Sequence, residues 1–322
     1  MLKNYRILEG RLCESAPADS DVLLYLNPDE TERKLLVNDF KLDEHTLNSA
    51  LDPDELSRLE FEPEHAALII NRPRNYSSAD GFRFTVSSMG FFLFKDKMVI
   101  LAQEELLPLA THQLQKIASL PELLLKLLYR TTLHYLEHLK VMNMIADQLE
   151  TKIQRSMENR HLIDLFTLEK SLVYYMSSIH SNSVAIDRMK ANAAKIGFSQ
   201  ENLEFLDDLI IENTQCLRQA EIYSNIFASL MDARVSVVNN NISVLMKTLN
   251  IITISIMVPT LVVSVFSMNV GIPLADRHWA FWAILGASAL ASGIVGFVWR
   301  MRGRYIDRPR RRRGAIRSSR PQ

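Results

Sequence analysis

Cysteine is nearly absent: Cys13 and Cys216 are the whole complement, and they stand far apart. Two isolated thiols build neither a disulfide framework nor a cysteine-based zinc site, and they suit a reducing cytosol. Glycine is scarce too, ten in 322 residues. No glycine-rich phosphate loop, nucleophile elbow or pair of catalytic carboxylates is found, so the expectation is a protein that is not an enzyme and has no resident cofactor. The opening Met1-Leu-Lys-Asn-Tyr-Arg6 lacks an apolar h-region, which predicts no cleavable signal and no export of the large N-terminal part. Charge itself is missing from two long stretches, 249–268 and 279–299. Each matches the roughly 20 residues that carry an α-helix across a bilayer.

The first of these stretches is not uniformly apolar. Asn250, Thr253, Thr260, Ser264 and Ser267 recur at helical spacing, with Met257 filling the one gap. A lipid-facing helix gains nothing from such a row, so it is expected to face other helices or water. The connection 269–278 is short, which makes the two spans a hairpin with both ends on one side. Basic residues fix which side. Residues 300–322 hold ten arginines against one aspartate, net +9, while the preceding 299 hold 27 basic and 36 acidic residues, net −9. Lys247 and this tail sit on the same face, so both termini are expected in the cytoplasm of a bacterial-type inner membrane.

About 240 residues precede the membrane, enough for a substantial core. Strand-length apolar runs at 22–26, 66–70, 82–86, 90–94 and 98–101, with a helix at 43–59, predict an α/β domain over 1–120. From Pro121 the apolar period becomes 3.6, through Leu124, Leu128, Tyr135, Leu139, Met142 and Leu149, predicting long antiparallel helices over 121–198. Gly197 is a helix stop and Ser199 an N-cap for the next helix, which has no proline or glycine before Pro259. The fold class expected is therefore α+β: a cytosolic α/β domain, long antiparallel helices, and a stalk helix of about 100 Å over 199–268 that continues into the first of two C-terminal transmembrane helices. An outer loop at 269–278, a second span at 279–299 and a basic cytosolic tail at 300–322 complete the plan.

A stalk of that length needs neighbours, which predicts self-association. Symmetry-related first spans with inward stripes would stack rings of Ser243, Met246, Asn250, Thr253, Met257, Thr260 and Ser264, ending at a mouth of Ser267, Met268 and Asn269. Amide and hydroxyl oxygens can hydrogen-bond the waters around a small hard cation, and Mg²⁺ keeps several of its waters. Met246, Leu249 and Met257 would close such a path by dewetting. The alternative for the same stripe is helix–helix packing, where Ser, Thr and Asn are also common.

Ser267-Met268-Asn269, ending a first span and followed by a short loop and a second span, resembles the Gly-Met-Asn signature of CorA-type divalent-cation channels. Met246-Lys247 ahead of the span, Asn239 to Asn241 before that, and the acidic segment from Ala50 to Leu59 match the same family. The resemblance implies a homopentamer with a funnel-shaped cytosolic region. It gives Asn269 the outer ring that receives hydrated cation, Met246, Leu249 and Met257 the constriction, Thr260 a polar ring, and Asp232 a regulatory cation site between subunits. Mg²⁺, or Zn²⁺, Co²⁺ or Ni²⁺, is implied as the transported and regulatory ion. There are departures. Ser267 replaces the signature glycine, Phe266 the usual tyrosine and Ser243 a common inner asparagine; Pro259 falls one residue late, and the outer loop has Asp276 as its one acid. These keep open a ZntB-like zinc transporter, possible proton coupling included. A non-transporting membrane-anchored assembly or sensor is a third reading.

Three further features carry less. His134-Tyr-Leu-Glu-His138 fits H-x-x-E-H, but in a long amphipathic helix it reads as two histidines on one face rather than a protease. The arginines from 308 to 313 read as a topology anchor touching anionic lipid headgroups, not a nucleic-acid site. Glu201, Glu204, Asp208 and Glu212 read as a solvated helix face.

Overall fold

The computed structural model describes residues 1–76, 81–104, 116–155, 160–268 and 279–306. Within them the chain forms two compact units, Met1–Ala233 and Arg234–Gln322. A seven-stranded sheet is the centre of the first. Its strands are β1 (Leu2–Leu8), β2 (Arg11–Glu14), β3 (Val22–Leu26), β4 (Arg58–Phe61), β5 (Ala66–Pro73), β6 (Val86–Leu93) and β7 (Met98–Ala102), ordered β2-β1-β3-β7-β6-β5-β4. β3 and β7 pair in parallel and the other neighbours are antiparallel.

The central strands are apolar throughout because both sheet faces are covered. Val22, Leu24, Met98 and Ile100 pack toward the long helices, with Leu123 to Leu125, Ala185 and Leu206. Their alternates Leu23, Tyr25, Val99 and Leu101 pack with Leu36 and Leu47, which belong to α1 (Glu30–Asp39) and α2 (Glu44–Ser49) on the opposite face. α1 begins with a reciprocal capping box, in which Glu32 N–H donates to Asp29 Oδ1 at 2.8 Å and Asp29 N–H to Glu32 Oε2 at 3.1 Å. α2 is capped by Asp43, which accepts from Thr46 N–H; that bond holds the carboxyl below its usual range.

Two sequence expectations change here. The helix expected at 43–59 stops at Ser49, since Asp52 precedes Pro53 and is pushed out of the α region; Leu59 instead joins β4 and pairs with Leu68. The separate strand expected at 82–86 is absent; β6 begins only at Val86, opposite Pro73, and one further backbone bond, Arg74 N–H to the Thr85 carbonyl at 3.0 Å, lies beyond that pair. Phe84 donates its N–H to the Ser171 hydroxyl at 3.1 Å instead.

α3 (Leu120–Arg155), α4 (Arg160–Ala191), the single turn α5 (Ala193–Ile196) and α6 (Gln200–Phe266) follow, and α7 (Ala280–Ile306) ends the described chain. α3 and α4 run antiparallel, burying Tyr135, Leu139 and Met142 against Leu168, Leu172 and Tyr175. Gly197 closes α5 at φ 85°, a left-handed stop. Ser199 then caps α6, accepting Asn202 N–H at 3.2 Å. Antiparallel to α4, the start of α6 is held by Lys190–Asp207 at 2.7 Å and by Asn213 Nδ2 donating to the Ser183 hydroxyl at 2.7 Å.

Polar groups join α4 to the sheet. Asn182 Oδ1 accepts from the Ser57 hydroxyl at 2.6 Å and from Asn71 N–H at 2.9 Å, while its Nδ2 donates to the Asn71 carbonyl at 2.8 Å. With Asn182 4% exposed, this set supplies its amide oxygen and nitrogen with partners in the interior.

Candidate functional site

Two helices are long and apolar enough to cross a membrane, within Gln200–Phe266 and over Ala280–Trp299. None of the most apolar window of the first is buried, and 6% of the second, so neither is the core helix of a soluble fold. Between Lys247 and Phe266 α6 carries no charge and one helix breaker, Pro259. Pro259 has no N–H for the Ser255 carbonyl, yet the helix continues through it.

The distribution of exposure around α6 is not uniform. Ser243, Met246, Leu249, Asn250, Thr253, Met257, Thr260 and Ser264 are all exposed, as are Ser267 and Met268 just past its end. The less exposed positions are Ile251, Ser255, Val258, Pro259 and Val262. At about 100° per residue these five fall on the side of the helix roughly opposite the stripe. One face of the span is therefore partly covered by the chain's own fold, and the sequence-predicted stripe is the uncovered one. Met246, Leu249 and Met257 are 54%, 57% and 63% exposed, large apolar groups left more than half bare by the described residues.

Four hydroxyls of the stripe and mouth bond back to the helix backbone. Ser243 Oγ donates to the Asn239 carbonyl at 2.9 Å, Thr253 Oγ1 to Leu249 at 2.9 Å and Thr260 Oγ1 to Ile256 at 2.7 Å; Ser267 Oγ donates to the Ser264 carbonyl at 2.9 Å. Each proton is spent on the helix's own backbone, so what each hydroxyl offers outward is oxygen lone pairs. Waters bound to a cation direct their hydrogens away from it. Neutral acceptors at these positions therefore suit the waters of a hydrated cation, and the Asn250 amide adds an acceptor and a donor beside them. Spacing could locate these residues, but not this orientation, which depends on the rotamer.

The remaining candidates are dispersed. Asn269 and the outer loop 269–278, with Asp276, lie outside the described residues, as do the arginines from 308 to 313. α7 carries the helix seven residues past Trp299. Asp232 is exposed and falls in the first compact unit, whereas the stripe falls in the second. Among the described residues no group of three or more His, Cys, Asp or Glu side chains is gathered for a metal ion.

The two histidines of the H-x-x-E-H sequence lie in the α3–α4 interior. His138 Nδ1 is 2.7 Å from the Tyr175 hydroxyl, and its ring stacks on Tyr175 and meets His134 edge-on at 4.3 Å. Burial pushes His134 down to about 3, with the nearby charges of His138, Arg72 and Arg130 adding to it, and His138 down to about 4. Cys216 is fully buried in the same cluster, and burial pushes its thiol up to about 12. These are neutral packing groups.

The family described as CorA-like Mg²⁺ transporter protein matches residues 23–300. A cobalt/magnesium transport protein CorA of Methanocaldococcus jannaschii is 22% identical over 315 residues, covering 94% of this chain and 97% of that protein. The complete structure of the magnesium transporter CorA from the same organism superposes with a TM-score of 0.79 at 20% identity, over 93% of this chain and 96% of that one. The cytoplasmic domain of ZntB from Vibrio parahaemolyticus superposes with a TM-score of 0.58 at 11% identity, over 74% of this chain and 98% of that one. At such identities both likenesses concern the fold.

Proposed function

Because the chain belongs to the family of CorA-like Mg²⁺ transporter proteins, a family of transporters and not of enzymes, we propose that it conducts hydrated divalent cations, Mg²⁺ foremost, through a pore built from several copies of α6. The supporting observation is the uncharged stripe of hydroxyls and amide on the face of α6 that the described residues leave exposed. In this reading Ser267, Met268 and Asn269 form the outer mouth, where the asparagine amide receives the cation with its water shell. Asn250, Thr253, Thr260 and Ser264, with Ser243 at the inner end, pass those waters along. Met246, Leu249 and Met257 close the path when it dewets.

Residues 1–120 and 121–198 then form the cytosolic part, 199–268 the stalk and first span, 269–278 the outer loop, 279–299 the second span and 300–322 the tail. Both termini lie in the cytoplasm, the tail's arginines against anionic headgroups. Five copies make the pore, and cytosolic cation near Asp232 biases it closed. Transport follows the gradient and the membrane potential, which for a divalent ion supplies about 4.6 kcal/mol per 100 mV.

Ser267 in place of the signature glycine favours a second reading, zinc transport of the ZntB type, because a side chain there changes the backbone freedom of the mouth. Proteoliposome uptake of Mg²⁺, Co²⁺, Ni²⁺ and Zn²⁺, with and without a pH gradient, separates the two. The channel reading expects Mg²⁺ uptake that follows voltage, ignores the pH gradient and drops at least about tenfold in Asn269→Ala, the loss of one hydrogen bond to a charged group. Zn²⁺ uptake that rises with an inward proton gradient selects the second reading. Absence of any flux from an intact assembly would leave only a membrane-anchored protein.

A further inference from the structure

The N-terminal unit contains a feature that transport leaves unused. Where β5 ends, beside the segment leading into β6 and the outer face of α4, lies a cavity of about 640 Å³ whose lining includes Arg74, Arg83, Phe84, Lys170, Ser171 and Tyr174. A second cavity, of about 510 Å³, shares Arg74, Arg83, Phe84 and Thr85 with it and adds Tyr76 and Glu104. Each is within the size range of small-molecule sites.

Its three cations are not equivalent. Arg74 is paired with Glu104. Arg83 and Lys170 have no carboxylate at salt-bridge distance among the described residues, and the one other acid in the lining is Asp54. Lys170 Nζ stands 6.0 Å from the centroid of the Tyr174 ring, which is 51% exposed. The floor is built rather than incidental. Phe84 stacks on Tyr76 with centroids 4.2 Å apart and planes 9° from parallel, the Ser171 hydroxyl accepts Phe84 N–H, and the Tyr76 hydroxyl donates to the Gly81 carbonyl at 2.6 Å.

Cations with no carboxylate partner among the described residues, beside a half-exposed ring, match a ligand with phosphate at one end and an aromatic ring at the other. Charge-assisted hydrogen bonds, one from a guanidinium fork, hold the phosphates, and a ring face accepts any base by stacking. A bare phosphate would leave most of this volume and the tyrosine unused. We propose that the cleft binds a nucleoside polyphosphate, with Arg83 and Lys170 on the phosphate oxygens and Tyr174 against the base. The assignment holds whichever cation the protein conducts.

The test is equilibrium binding of ATP, tripolyphosphate and adenosine to the full-length protein in detergent, with EDTA present so that metal chelation contributes nothing. ATP should saturate below about 1 mM, an affinity that a few such contacts supply. Arg83→Glu with Lys170→Glu should weaken ATP and tripolyphosphate by about tenfold or more, the scale of a lost charge-assisted bond. Tyr174→Ala should weaken ATP alone, and Lys140→Glu, an exposed cation of α3 outside the cleft, should change nothing. If the double variant misfolds, Arg83→Gln and Lys170→Gln taken singly carry the test. Absence of ATP saturation up to about 1 mM, or unchanged binding by a charge-reversed variant that melts like the parent, overturns the site. Equal affinity for ATP and tripolyphosphate with a silent Tyr174→Ala overturns the nucleoside assignment.

Discussion

The Thr260 hydroxyl gives its proton to Ile256 at 2.7 Å and keeps its lone pairs for whatever lies beyond the helix. Valine has the same shape without the oxygen, so Thr260→Val removes the acceptor and little else, whereas Thr260→Ser keeps it. If hydrated cations pass this face, the valine variant should conduct roughly five- to tenfold less, the equivalent of about 1 kcal/mol for one hydrogen bond, and the serine variant should stay near the parent. Equal flux in all three in proteoliposomes would remove Thr260 from the path. The positions of the stripe could be read from spacing alone; its orientation could not, because back-bonding to residue i−4 is a rotamer choice that tertiary surroundings permit. His138 is a residue whose role only the fold reveals. The Tyr175 hydroxyl, its pKa raised by burial, stays protonated and can donate to the His138 ring nitrogen. With His134 at about 3 and His138 at about 4 against 6.5 unfolded, the unfolded chain binds more protons below pH 6.5. Stability is then complete above that pH and lost on acidification toward pH 4, by up to about 1.4 kcal/mol per pH unit for each histidine. His138→Gln keeps an acceptor for Tyr175 and removes one titration, so its loss of melting temperature from pH 7 to 4.5 should be smaller than the parent's. Parallel curves would refute the assignment.

At the scale of elements, legibility followed burial. β3, β7 and the 66–70 part of β5 were readable because strands covered on both faces are apolar without interruption, α3 because its apolar period repeats many times, and α6 because a glycine stop and a serine cap precede a run with no breaker before Pro259. β1, β2 and β4 escaped detection. They lie toward the sheet edges, mix charge with apolar residues, and take their structure from their neighbours. α1 was missed although Asp29 and Glu32 spell a capping box, since only Leu36 of its ten residues is buried and it shows little apolar period. The register of α4 on the sheet was equally invisible, because it rests on one asparagine. Asn182→Ala would leave Asn71 N–H, the Asn71 carbonyl and the Ser57 hydroxyl without their partner in the interior, a loss of about 2–4 kcal/mol. Its melting temperature, followed by circular dichroism, should fall by several degrees, while Val184→Ala, exposed on the same helix, should change it little. If the two variants melt alike, Asn182 does not hold α4 on the sheet.

At the scale of the whole molecule, the second unit cannot be the finished structure. Leu245, Met246, Leu249, Ile252, Ile256, Met257 and Leu261 are each more than half exposed. Lipid can cover apolar side chains, but it offers nothing to Asn250, Thr253 and Thr260 on the same helix. Further copies of α6 can cover both, and a stripe opposite the partly covered face leaves them one side on which to meet. The sparse cysteines make this testable. Cys216 is fully buried with a thiol pushed up to about 12, so it does not react near neutral pH, and Cys13→Ser removes the other. In that background Cys at 253 or 260 should cross-link between copies in membranes under mild oxidation, whereas Cys at 251, 258 or 262 should not. Each copy then carries one reactive thiol and can form one disulfide, so the expected product is a cross-linked dimer. Should 251, 258 and 262 link copies while 253 and 260 remain monomeric, the acceptor-lined face points outward, and no set of α6 helices encloses a path for the cation.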